Sequence, residues 1–133
     1  MISEAAVSNA AASTKVKLSC RNVWKIYGEN PAQFFDAGNS RVDTPQALAD
    51  SIANNDHIVA NADVSFDVHI GEIFVIMGLS GSGKSTIVRC ISRLVEPTAG
   101  AILLDGEDVL KKSDAELIDI RRHKMGMVFQ SFG

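Results

Sequence analysis

Residues 73–91 read IFVIMGLSGSGKSTIVRCI, and the fold turns on this stretch. Ile73 to Met77 are all apolar, and an unbroken run of this kind predicts a strand buried on both faces. Gly78-Leu79-Ser80-Gly81-Ser82-Gly83-Lys84-Ser85 then fits G-x-x-x-x-G-K-[ST] without a mismatch. Beyond it, Ile87, Val88, Ile91, Leu94 and Val95 recur at helical spacing. They predict a helix from about Lys84 to Val95, closed by Pro97. Two fixed glycines followed by Lys and Ser or Thr arise by accident in roughly one chain in a few hundred of this length. The strand before the loop and the helix after it are the placement that the pattern requires.

The residue types have a chemical reason. A triphosphate needs several donors converging at short range, and backbone N–H groups supply them where glycines let the chain wrap closely. The following helix adds free N–H groups and the positive end of its dipole. Lys84 reaches the β- and γ-phosphates as a point charge, and Ser85 offers its hydroxyl to magnesium. Thr86 adds an N–H and a hydroxyl near the α-phosphate. Gly78 to Thr86 therefore reads as a site for a nucleoside triphosphate, ATP with Mg2+. The bland alternative is a Gly-rich turn with a surface lysine, and the agreement of strand, loop and helix argues against it. The loop by itself leaves kinases, GTPases and motor ATPases open.

Upstream, Lys15 to Cys20 alternates polar and apolar residues and predicts a half-buried strand, which Val23 to Tyr27 extends as far as Gly28. Ala62, Val64, Phe66, Val68 and Ile70 alternate with polar residues and predict a second amphipathic strand. Between the two lies a segment, Glu29 to Asn61, with Pro31, Gly38, Pro45 and several Asn and Asp. Thr44-Pro45 reads as an N-cap followed by proline at the first helical position, so a short helix is expected over Gln46 to Asn54. Phe34 and Phe35 are expected to anchor an earlier turn, and the bland alternative is a loosely packed surface insertion. Downstream, Ala101 to Leu104 predicts a strand and Asp105-Gly106 a turn. Ser113 and Glu116 stand at capping-box spacing, so a helix is expected from Asp114 into the basic cluster Arg121, Arg122, His123 and Lys124. Met125 to Phe129 predicts a last strand. Antiparallel strands followed by strand–loop–helix units imply a mixed α/β sheet.

The composition narrows the partners. The chain has 133 residues and a formal net charge of −3, a balance that argues against a nucleic-acid binder. The basic cluster reads as a solvated helix end, where cations favour the dipole. Cys20 and Cys90 are far apart and form no C-x-x-C or Cys/His pair, and His57, His69 and His123 lack metal-ligand spacing. No apolar run approaches the ~20 residues of a membrane span. The N-terminal segment lacks a basic leader, carries Glu4 and does not read as a signal peptide, so a flexible tail is expected over 1–14.

With these residues in view, Gly78 to Thr86, GLSGSGKST, resembles the Walker A loop of ABC-transporter ATP-binding subunits. Three further features agree. Asn22-Val23-Trp24-Lys25-Ile26-Tyr27-Gly28 is similar to the family's first strand, which ends in an aromatic-Gly pair. Glu96-Pro97-Thr98-Ala99-Gly100, followed by Ile102-Leu103-Leu104-Asp105-Gly106, resembles its "P-T-x-G…DG" strand turn. Met127-Val128-Phe129-Gln130 resembles its Q-loop. The match covers Lys15 to Gly133, with 29–61 as an insertion that most of the family lacks. That insertion, together with the Ile73 to Ser80 and Met127 to Phe132 segments, looks like the glycine betaine/proline (quaternary amine) uptake branch. Leu79 stands where many relatives have proline.

The resemblance implies a P-loop NTPase fold of the ABC-ATPase type, with N-terminal antiparallel strands and an incomplete nucleotide-binding core. It implies that Tyr27 stacks on adenine, and that Gln130 helps to hold magnesium and the attacking water. It implies an ATP-hydrolysing subunit at the cytoplasmic face of the membrane. Its partners would be a second ATP-binding subunit, transmembrane permease subunits and, through the complex, a periplasmic or extracellular substrate-binding protein. The LSGGQ-like signature, the Asp-Glu that ends a Walker B strand and the switch histidine lie downstream in the family. The chain therefore reads as the N-terminal part of a longer ATPase, inactive alone. A different soluble P-loop NTPase, such as a small-molecule kinase, and a non-hydrolysing nucleotide-binding module are the alternatives.

Overall fold

The structure is a computed structural model that describes residues 4–8, 14–36, 44–78 and 81–128. In chain order the elements are β1 (Glu4–Ser8), β2 (Val16–Tyr27), a 3-10 turn (Pro31–Phe35), α1 (Pro45–Ala53), β3 (Ile58–His69) and β4 (Ile73–Met77). They continue with α2 (Lys84–Ile91), β5 (Ala99–Leu104), β6 (Glu107–Asp108), a second 3-10 turn (Val109–Lys111) and α3 (Asp114–His123). Strands β3-β2-β5-β6 form an antiparallel sheet, and β1 pairs antiparallel with β4.

The expected continuation of the first strand through Val23 to Tyr27 is present as one strand, β2, broken in phase by a bulge. The ladder to β3 shifts between Cys20 and Val23, and Asn22 takes a left-handed φ of 50°. The extra residue explains why Cys20 and Val23, three positions apart, enter the same core. That core contains Cys20, Val23, Val64, Ile87, Cys90, Ile102, Leu104, Val109 and Ile120, and it joins the sheet to α2 and α3. Burial pushes the Cys20 thiol up to about 12 and the Cys90 thiol up to about 11, so both stay protonated.

The insertion is not loosely packed. Trp24 and Ile26 face a second core with Ile52 and Ala62, and Phe34, Phe35, Leu48 and Val59 pack against it. Phe35 meets Trp24 edge-on at 5.4 Å between ring centroids. Ile52 is fully buried, which contributes about 1.5–3 kcal/mol. Thr44 caps α1 as expected, accepting from Ala47 N at 3.2 Å. Helix α3 begins with the expected capping box between Ser113 and Glu116.

Other expectations need correction. The flexible tail expected over 1–14 contains a strand, because Glu4–Ser8 pairs with the edge of β4 from Glu4↔Met77 to Ser8↔Ile73. An unpaired edge offers a row of free donors and acceptors to any chain within reach. Strand β4 is not buried on both faces. Ile73, Val75 and Met77 alternate as exposed residues, while Phe74 stacks on Phe66 at 4.7 Å. Among the described residues only one face of β4 is covered.

Helix α2 stops at Ile91 rather than Val95. Arg93 turns left-handed at φ 53°, with Leu94 N donating to Arg89 O and Arg93 N to Cys90 O, the two bonds of a Schellman end. Met125 to Val128 form no strand, and Phe129 lies outside the described residues. The basic cluster is more than a solvated end. Arg121 donates to the carbonyls of Ser92 and Arg93 at the end of α2, and Lys124 pairs with Asp105 at 3.3 Å. Lys17 joins them, and its hydrogen bond is the main reason that the Asp105 carboxyl stays below the usual range.

His57 closes the insertion onto the sheet. Nε2 lies 2.8 Å from the carbonyl of Glu29 and Nδ1 lies 2.6 Å from that of Asn55. Only an imidazolium donates from both nitrogens. The Glu29 carbonyl and then that of Asn55 raise its pKa. A side chain at Gly28 would collide with the ring. The stabilisation from this clasp is complete below the ordinary imidazole value of about 6.5 and is lost as pH rises through the higher folded value. His57→Gln should therefore lower the melting temperature most near pH 5.5 and least near pH 9, values set about that ordinary pKa. A difference from wild type that grows with pH would refute the clasp.

Candidate functional site

Gly78 follows β4 directly, and Gly83 is the N-cap of α2, so the loop spans the gap between a strand end and a helix start. Gly83 has φ 90°, a left-handed backbone that L side chains rarely adopt. A Cβ there would also strike the carbonyl oxygen of Ala60 in β3. A Cβ at Gly78 would strike Ser82. The loop therefore closes on itself and lies against β3 only because two positions lack side chains.

Helix α2 has no side-chain cap, and its first hydrogen bond runs from Ile87 N to Gly83 O at 3.0 Å. The N–H groups of Lys84, Ser85 and Thr86 in the first turn thus have no partner within the helix. They sit at the positive end of the dipole, which suits an anion. Lys84 Nζ donates to Gly78 O at 2.6 Å and draws the ammonium back across the loop. Ser85 is exposed and Thr86 half-buried. A phosphate chain fits this donor set.

Of the described loop hydroxyls Ser82 is buried and Thr86 half-buried, and Ser85 is the exposed one that a hard cation could reach. Among the described residues no three His, Cys, Asp or Glu side chains converge as a metal cage. Mg2+ keeps waters and takes phosphate oxygens readily, so one protein hydroxyl suffices when the nucleotide brings the rest.

Tyr27 ends β2 and is 43% exposed. It pairs with Ile58, while Lys25 pairs with Asn61. Asn61 in turn donates from Nδ2 to Gly83 O at 3.0 Å. The ring is therefore a few residues of β3, roughly 10 Å of strand, from the point where the loop touches the sheet. Lys25 Nζ lies 4.8 Å from the centre of the Tyr27 ring and donates to Glu96 O at 2.8 Å. Leu79, Ser80 and Gln130 lie outside the described residues. Sequence reasoning missed Asn61 and Lys25. Asn61 closes a polar insertion and reads as a turn residue, and only the close passage of Gly83 singles it out. Two grooves of about 470 and 500 Å³ lie away from the loop, one lined by Val88, Leu94 and Met127, the other between α1 and β3.

The profile of the ABC transporter family matches residues 61–133. The chain is 52% identical over 116 residues to the trimethylamine N-oxide transport system ATP-binding protein of Ruegeria pomeroyi, covering 87% of this chain and 33% of that protein. It is 48% identical over 117 residues to the glycine betaine/proline betaine transport system ATP-binding protein of Escherichia coli, covering 88% of this chain and 28% of that protein. It is 42% identical over 120 residues to the glycine betaine/carnitine transport ATP-binding protein of Listeria monocytogenes, covering 88% and 28%. The chain thus spans about a third of the length of these relatives.

Lys84→Ala removes the mobile cation of the loop. Charge-assisted hydrogen bonds contribute about 1.5–3 kcal/mol, so affinity for a fluorescent ATP analogue should fall roughly 10- to 150-fold. Binding at wild-type strength would dismiss this loop as the site. Gly83→Ala should weaken binding as well and also lower the melting temperature, through its strained φ and the collision with Ala60.

Proposed function

Because this chain belongs to the ABC transporter family, we propose that it is the nucleotide-binding part of an ATP-hydrolysing subunit of a membrane importer. The solute in this reading is glycine betaine, proline or a related osmoprotectant. Relatives named for transport of trimethylamine N-oxide and of glycine betaine with proline betaine support a small methylated amine. The observation that carries the reading is the phosphate loop itself. Lys84 lies across it, Gly83 is fitted against β3, and the first turn of α2 opens onto it.

Bound Mg-ATP supplies the phosphoanhydride bond whose cleavage drives transport. The chain's own residues do the holding. The backbone N–H groups from Gly81 to Thr86 receive the phosphate oxygens, and Lys84 exchanges the Gly78 carbonyl for the β- and γ-phosphates. Ser85 gives one oxygen to Mg2+. Tyr27 would take the adenine on the ring face away from Lys25, and Gln130 would help to hold Mg2+ and the attacking water. Among the described residues no helix is long and apolar enough to cross a membrane. The subunit works in this reading from the cytoplasmic face of the membrane, as a dimer against permease subunits that receive solute from a substrate-binding protein.

Two measurements test the reading. Base stacking on an aromatic ring is worth about 1–3 kcal/mol in nucleic-acid sites. Tyr27→Ala should then weaken ATP by roughly 5- to 150-fold and leave inorganic tripolyphosphate unchanged. Equal losses for both ligands would make Tyr27 a structural residue. In proteoliposomes holding the full-length protein and its permease, glycine betaine uptake should require ATP and vanish with Lys84→Ala. ATP hydrolysis indifferent to betaines, proline and trimethylamine N-oxide alike would reject the osmoprotectant assignment.

A further inference from the structure

Asn61 is a polar residue with no exposed surface, on the rung of β3 that the phosphate loop touches. Its Nδ2 donates to Gly83 O at 3.0 Å, and its Oδ1 has no hydrogen-bond partner among the described residues. The orientation of the amide follows from chemistry. A backbone carbonyl only accepts, so the nitrogen must face it and the oxygen must take the other side. A buried amide oxygen left unpaired costs stability that an apolar residue of equal size would not. What Asn61 adds over such a residue is the bond to Gly83.

Gly83 is where the loop becomes helix. Its carbonyl receives both Asn61 Nδ2 and Ile87 N, so one atom ties the start of α2 to β3. The directions of the N–H groups of Lys84, Ser85 and Thr86 follow from that first turn. Across the ladder Asn61 faces Lys25, whose ammonium is anchored on Glu96 O and lies over Tyr27. The phosphate cradle and the aromatic ring are therefore fastened at one rung of the sheet.

We propose that Asn61 is a positioning residue of the nucleotide site. It holds Gly83 so that the N–H groups of the loop and Lys84 meet the phosphates already aligned. The inference rests on the reading of Gly78 to Ser85 as a nucleotide site.

In the full-length protein, Asn61→Leu removes the donor and keeps the volume. Its melting temperature should match or exceed that of wild type, because the orphan oxygen goes too. Its affinities for Mg-ATP and for inorganic tripolyphosphate should both fall roughly tenfold, the scale of one orienting hydrogen bond. Asn61→Asp adds a pH profile. A buried carboxyl has a raised pKa and donates to Gly83 O only while protonated. The affinity of this variant relative to wild type should therefore rise as pH falls from about 8 to about 6. If Asn61→Leu fails to fold, the profile of Asn61→Asp decides. Lys84→Ala is the control. Loss of ATP by Lys84→Ala with wild-type binding by both Asn61 variants would overturn the inference. So would a fall in melting temperature that accounts for the whole loss of affinity. Wild-type binding by Lys84→Ala would instead show that the reading of the loop has failed.

Discussion

Val23 and Trp24 are neighbours on β2 and point to opposite faces of the sheet, each into its own core. The two cores depend on the register of this strand. A slip of one residue would exchange the faces, putting Asn22 where Val23 belongs and Val23 where Trp24 belongs. The register is pinned at the bulge. Asn22 donates from Nδ2 to Asp63 Oδ1 at 2.7 Å and from its backbone N to Ser65 Oγ at 2.8 Å. Asn22 and Asp63 both take left-handed backbones, a conformation that Asn and Asp tolerate better than other side chains. The polar pair lies outside both cores and still decides what enters them.

The candidate site inherits its geometry from that register. Its ligand contacts come mainly from backbone, so what matters is where the backbone is held. Strand β3 carries the surface on which Gly83 rests, and the ladder from Lys25↔Asn61 to Tyr27↔Ile58 sets the span between cradle and ring. On its other side α2 is anchored by Ile87 and Cys90, both fully buried, and its end is held by Arg121 from α3. The helix that offers its N-terminus to an anion is thus fixed along its length, and little freedom is left to be lost when a ligand binds.

The insertion closes a second, smaller core on the face that Trp24 and Ile26 present. Its contribution is to cover that face, which would otherwise expose a tryptophan and an isoleucine beside Tyr27. The clasp by His57 ties its two ends, Glu29 and Asn55, at the point where β2 finishes. The last turn before the aromatic ring is therefore held from both sides of the insertion.

What the residues declared alone was local. The glycine pattern, the capping box at Ser113, the Thr44-Pro45 helix start and the alternation of β3 beyond Asp63 each follow from short-range sterics and hydrogen bonding, which spacing records; before Asp63 the left-handed turn of that residue puts Ala62 in the other core from Val64. The phosphate loop was legible for the same reason, since positive φ and helix-end donors are written within a few residues. The misreadings were all of longer range. The exposure of Ile73, Val75 and Met77 depends on which faces are covered, and the end of α2 depends on Arg93 turning back with Arg121 close by. The strand at Glu4–Ser8 needed a partner edge some seventy residues away, by the register with Ile73–Met77. The packing of the insertion and the place of Asn61 under Gly83 came from the same source. Sequence spacing encodes what a residue does to its own backbone. Which distant backbone it then meets is settled when the strands pair and the cores close.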